Sequence, residues 1–301
     1  MPSSPPPPVL GERSVIERRT TAFLSLPVFV TLVGLAIVPL IMVIIWSFWR
    51  WDPSIYWMRP AFAFDAYQSV FGTDRFIVIV RTVRLALVTA VLALLLGYPV
   101  ALFMERFATP RQRNLLMLLF LVPFFTSYVV RTFAWRLILG RTGLINALLT
   151  RLGLISEPLE WLLFSEFAVQ VGLLASYLPF MIFPLLLSFG RIDRSFIEAS
   201  EDLGASFSQT FRHVILPLSA PGVFAGCLFV FVMALGSSVE VQFLGGAAQS
   251  MIAIMIQDVM RVLNFPLAFA ISTSVIVLLV VLLMLGTRVL GLSRLFSSVP
   301  R

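Results

Sequence analysis

The stretch FAVQVGLLASYLPFMIFPLLLSFG, residues 167–190, runs straight into RIDRSFIEASEDLG, residues 191–204. Its first part holds 24 residues without a charge, and a helix needs about 20 apolar residues to cross a hydrocarbon core of ~30 Å. Its second part carries six charged groups, at positions 191, 193, 194, 198, 201 and 202, and cannot follow into lipid. The chain therefore crosses a membrane here and emerges at its surface.

Outward from this point, further uncharged runs cover Thr20 to Phe48, Leu85 to Met104, Leu115 to Val130, Val214 to Val239 and Val262 to Thr287, which predicts six helices in all. The run from Leu115 is short and is extended through Thr132 to Trp135, with Arg131 near the interface, where a long side chain can snorkel to headgroups. The apolar segment Met251 to Ile256 is too short to span, follows Gly245-Gly246, and is expected to be re-entrant or interfacial. Hydrophobic residues make up 59% of the 301 positions and charged residues 12%, more apolar surface than a water-soluble fold could cover. The predicted class is an all-α integral membrane protein, with residues 20–295 as one embedded domain. Residues 1–19, which include the run Pro5 to Pro8, read as a disordered tail, and residues 296–301 as a C-terminal tail. The apolar run from Thr20 is too long for a signal-peptide core and shows no cleavage site.

The formal net charge of +7 rests on arginine alone: all 22 basic residues are Arg and none is Lys. That excludes a phosphate-binding P-loop and Schiff-base chemistry, each of which needs a lysine. One histidine, His213, and one cysteine, Cys227, are too few soft ligands for a zinc or iron–sulfur site, and no disulfide can form within the chain. No catalytic residue, metal or cofactor is expected. The basic balance points to membrane interfaces and anionic lipid rather than to nucleic acid. Six spans put both termini on one side, and that side, with its loops, holds twelve of the arginines, three of them in the short loop Glu105 to Asn114. Both termini are expected in the cytoplasm.

The loop 191–217 has a clear internal grammar. Ser195 with Glu198 has the spacing of a capping box, Gly204 supplies a left-handed residue to end that helix, and Ser206 with Gln209 is a second capping box. Pro217 is expected to mark a fresh start for the next span. Phe196, Leu203, Phe207 and Phe211 give this surface hairpin more apolar area than a solvated loop should have, so lipid or a protein groove is expected to cover it. Glu198-Ala199-Ser200, then Gly204, then Val214, Ile215 and Leu216-Pro217 reproduce the loop signature Glu-Ala-Ala, Gly, Ile, Leu-Pro at every spacing, with Ser200 and Val214 as mild departures. In this the chain resembles the permease subunits of bacterial ABC importers, all-α membrane proteins of the type I importer fold. The resemblance implies that Glu198 to Gly204 is a coupling helix docked in a groove of a separate ATPase subunit, with no ATP chemistry on this chain.

Three further stretches, Val122 to Ser127, Arg131 to Trp135 and Leu139 to Asn146, look like the first permease subunit of spermidine/putrescine importers, and Leu244 to Ala247, Gln257-Asp258 and Phe265-Pro266 also fit. That implies a heteromeric pore with a second permease, a periplasmic binding protein and a small cationic substrate, a polyamine, in the bacterial inner membrane. Glu240-Val241 and Phe265 to Ala268 depart from the pattern, and relatives of the same subfamily move opines, other amines or metal complexes. A polyamine crossing a low-dielectric region needs carboxylates and aromatic faces, which Glu240 and Asp258 with Tyr128, Phe133, Trp135 and Tyr177 could supply. Helix packing and interfacial belts also explain such aromatics, and Glu240 could instead pair with Arg131 or Arg136. Arg81 and Arg84 could oppose cations, dock the binding protein or snorkel. Gly222 and Gly226 allow close helix approach. An ion-coupled secondary transporter would need inverted repeats and mid-span carboxylates, and the uncharged runs contain no Asp or Glu.

Overall fold

The computed structural model describes residues 33–72, 74–246 and 249–289, with residues 27, 30 and 31 besides. The tails expected at 1–19 and 296–301, and the first residues of the span expected from Thr20, lie outside them. Helix α1, Val33–Trp46, is the described part of that first apolar run. It leads into an antiparallel hairpin, β1 (Arg50–Asp52) and β2 (Trp57–Arg59), in which Trp51 faces Met58. The turn is set by Asp52, whose carboxylate accepts from the Ser54 amide at 2.8 Å and from its hydroxyl at 2.5 Å. Those two bonds hold the Asp52 carboxyl below its ordinary value, the side-chain bond being the larger cause. Strands of three residues are too short for alternation to reveal, and the sequence reading missed them.

After the short helix α2 (Asp65–Phe71) comes α3, Arg75–Arg106, 32 residues long. It starts ten residues before the uncharged run because Arg75, Arg81 and Arg84 occupy its first turns, where charges still reach water. Helices α4 (Pro110–Phe125), α5 (Tyr128–Leu139) and α6 (Leu144–Arg151) follow. Then come α7 (Glu166–Phe189), α8 (Arg194–Asp202), α9 (Phe207–Thr210), α10 (Leu216–Leu235), α11 (Ile252–Arg261) and α12 (Phe265–Val289).

The main core lies where α3, α7 and α10 meet, around Ala86, Ala93, Leu173, Met181, Leu185 and Val230. Small residues permit that approach. A Cβ on Gly222 would fall 2.4 Å from the Ser188 Cβ and 2.8 Å from the Pro184 carbonyl oxygen. One on Gly226 would fall 2.6 Å from the Met181 sulfur, so the glycine pair makes the α7 to α10 contact that its spacing suggested. A second core joins α2, α11 and α12 through Val70, Ile252, Met255, Leu267 and Ile271. The segment expected to be re-entrant or interfacial lies in a ten-residue helix packed against α12.

Among the described residues, four helices are long and apolar enough to cross a membrane by themselves: Arg75–Arg106, Glu166–Phe189, Phe207–Leu235 and Phe265–Arg288. The third expected span is a correction. Instead of one helix from Leu115 to Trp135, the chain forms α4 and α5 with an extended residue between them, Ser127 at φ −54° and ψ 130°. Arg131 lies in the first turn of α5: its backbone amide donates to the Ser127 carbonyl at 3.0 Å and its guanidinium to the Thr126 carbonyl at 3.3 Å. Pro217 is the second correction. The helix does not restart there, because a π turn at Phe211–Ile215 shifts the hydrogen-bond ladder just ahead of the proline and carries the helix unbroken from α9 into α10. The fifth span also ends earlier than expected, at Leu235, and re-forms as a helical turn through Glu240 into a second π turn, Val241–Gly245.

Candidate functional site: an exposed helical loop and a buried carboxylate

Two places carry the residues singled out in the sequence. The first is the hairpin of α8 and α9. Asp193, not Ser195, caps α8: its carboxylate accepts the Ser195 amide at 3.0 Å. An aspartate two residues upstream reaches that free amide as well as a serine does, which displaces the expected Ser195–Glu198 box. The same bond holds the Asp193 carboxyl below its ordinary value. Gly204 ends the helix at φ +79° with open space around it. Gln209 accepts the Ser206 amide at 2.7 Å, as the second capping box requires, and the Ser200 and Thr210 hydroxyls join the two helices at 2.9 Å.

Phe196, Leu203 and Phe207 stand out from this hairpin, 57%, 89% and 63% exposed. Phe211 does not: its ring is half-buried and lies edge-on to Tyr98 at 5.8 Å. Glu198 and Ala199 are exposed, Ser200 and Val214 half-buried, and Leu216 and Pro217 exposed. Glu198 and Glu201 line a cavity of ≈ 320 Å³ shared with Arg106 at the end of α3 and Arg194 at the start of α8. His213 bonds the Gln209 carbonyl at 2.9 Å within its own turn.

The second place is Glu240, which is fully buried. The hydroxyls of Tyr128 on α5 and Ser237 both donate to its Oε2, and Tyr177 on α7 reaches the Tyr128 hydroxyl at 2.6 Å. The two tyrosine rings lie 6.4 Å apart. Oε1 of Glu240 has no hydrogen-bond partner, and no ion pair among the described residues includes this carboxylate. The alternative, a pairing with Arg131 or Arg136, is not found: Arg131 stacks 6.0 Å over the Tyr128 ring, and Arg136 lies 5.3 Å over Phe164.

Gly172 gives this turn its room, since a Cβ there would fall 2.5 Å from Leu244 and 3.1 Å from the Glu240 Cγ. The structure thus brings Tyr128, Tyr177 and Glu240 together. Trp135 packs against the main core further along α5. Asp258 stands apart on α11, its carboxylate 56% exposed and paired with Arg261 at 3.1 Å. Ser237 and Gly172 escaped sequence reading. Ser237 was detectable, because Ser237-x-x-Glu240 has capping-box spacing. Arg84 and Arg81 meet Glu166 on α7 at 2.5 and 3.5 Å, so both are paired.

Apolar helices of membrane length, joined by an exposed two-helix loop and packed around a buried carboxylate, describe an integral membrane protein. Residues 93–294 match the family described as binding-protein-dependent transport system inner membrane component, and the chain belongs to that family. It is a multi-pass inner-membrane permease.

Over 262 residues it is 32% identical to the spermidine/putrescine transport system permease protein PotB of Haemophilus influenzae, covering 87% of this chain and 91% of that protein. It is 34% identical over 261 residues to the PotB of Escherichia coli strain K12, covering 85% and 93% respectively. A bacterial alginate ABC transporter in complex with an alginate pentasaccharide-bound periplasmic protein has a chain of the same fold: TM-score 0.71, 16% identity, 96% of this chain and 99% of that one.

Proposed function

We propose that this chain is the permease half of an ATP-driven importer that carries a polyamine, putrescine or spermidine, into the cytoplasm. It works with two ATPase subunits, a second and different permease, and a periplasmic binding protein. Residues 20–295 form the permease domain, 191–217 its coupling loop, and both termini face the cytoplasm.

The observation that carries the reading is the hairpin of α8 and α9, set between two spans of a chain about one-third identical to polyamine permeases over most of its length. Its exposed Phe196, Leu203 and Phe207 need a cover, and a helix laid in a groove of the ATPase supplies one. ATP binding would close the ATPase dimer, move this hairpin and turn the pathway outward. The substrate class rests on the transport activity for which the relatives are named, and the uncompensated Glu240 fits a cation.

The test is ATPase activity of the reconstituted complex with its binding protein, comparing putrescine, spermidine and uncharged controls. Stimulation by a polyamine is expected, lost in Gly204→Asp, which forces a side chain onto a left-handed residue. Stimulation by another ligand alone would overturn the substrate, and failure of any ATPase subunit to associate would overturn the subunit role.

A further inference from the structure

We propose that Glu240, with the hydroxyls of Tyr128 and Ser237 and the ring of Tyr177, is a binding station for one ammonium group of the translocated cation; this rests on the polyamine reading above. A carboxylate that is fully buried is costly unless a positive charge or a full set of donors compensates it. Here the donors fill one oxygen only. Oε2 takes the Tyr128 and Ser237 hydroxyls, while Oε1 is buried with its lone pairs unused. No arginine supplies the missing charge: Arg131, the cation stacked on Tyr128, sends its guanidinium to the Thr126 carbonyl.

A primary ammonium has three N–H donors, matching an open carboxylate oxygen with hydroxyl oxygens beside it. The two tyrosine rings, 6.4 Å apart, add electron-rich faces that favour a cation over a neutral ligand. The three contributing elements are separate: α5 brings Tyr128, α7 brings Tyr177, and the turn after α10 brings Ser237 and Glu240. A cation captured by Glu240 thereby competes with the bonds that tie these elements together, so entry of substrate and opening of this knot are one event. Gly172 of α7 lies close against the Glu240 stem, where an added Cβ would fall 3.1 Å from Cγ and 3.5 Å from Cβ.

The test uses the complete transporter with its binding protein in proteoliposomes, reading radiolabelled putrescine imported and ATP hydrolysed in the same vesicles. In Glu240→Gln, which keeps the shape and removes the charge, putrescine imported per ATP falls at least roughly tenfold, as loss of a charged hydrogen bond predicts, whereas a general folding defect lowers both rates together. Glu240→Asp recovers part of the loss. Arg131→Gln stays within about twofold of wild type. Unchanged import per ATP in Glu240→Gln overturns the station while leaving the polyamine reading intact. Loss in Arg131→Gln as large as in Glu240→Gln, recovered in the double variant, would mean that Arg131 is the carboxylate's own partner and would also overturn it. If Glu240→Gln fails to assemble, an assembled Glu240→Asp with unchanged import per ATP overturns the station, and a lowered ratio supports it. If wild type imports no polyamine, the substrate reading falls first, and the same variants are then read with the ligand that is imported.

Discussion

Two glycines show how one residue type answers to different physics. Gly204 sits at φ +79°, and a Cβ placed there would meet nothing within 4 Å, so its requirement is conformational. Gly222 has an ordinary backbone but faces Ser188 and Pro184 at 2.4 and 2.8 Å, so its requirement is space. Gly204→Ala should cost about 1–2 kcal/mol through the backbone alone and show itself as weaker coupling of ATP hydrolysis to uptake. Gly222→Ala should cost about 1–3 kcal/mol by overpacking, read as a lower unfolding midpoint of the detergent-solubilised complex. An unchanged midpoint in Gly222→Ala, or undiminished coupling in Gly204→Ala, would refute that division. At this scale the sequence was partly legible. Gly204 declared itself by its place after a polar helix, and Gly222 with Gly226 by their spacing. Gly172 was silent, because its importance comes from the turn at Glu240 more than sixty positions away.

Elements were legible where lipid decides them and illegible where neighbours do. Uncharged runs located α3, α7, α10 and α12, since length and absence of charge are all that a bilayer asks. They could not find the break at Thr126 and Ser127, because hydropathy is indifferent to whether an apolar stretch is one helix or two. Nor could they find the π turn ahead of Pro217, where one extra residue in the ladder accommodates a proline that reads as a stop. The cap of α8 is testable by pH. Asp193 has a folded-state value below its ordinary one, so its contribution is present above the unfolded value and disappears as pH falls through the folded value. Amide exchange in α8 should therefore be steady from neutral pH to about pH 5 after correction for intrinsic rates, and faster below about pH 4. Asp193→Asn should flatten that acid dependence.

For the whole molecule, the sequence announced a membrane permease through the signature in the loop 191–217 and its composition, while the surroundings of Glu240 stayed hidden. Glu240 follows the last residue of an uncharged run, and only the fold shows that it turns inward instead of out to water. The uninterrupted helix from Phe207 to Leu235, 29 residues, has a mechanical consequence. At about 1.5 Å per residue it is a rod of about 43 Å, with one end in the loop proposed to meet the ATPase and the other five positions short of Glu240. A break at Pro217 would have made a hinge that dissipates any tilt near the surface. The π turn removes that slack, so a tilt applied at the proposed docking loop would be carried as one rigid piece as far as Leu235, where the turn that bears Glu240 begins.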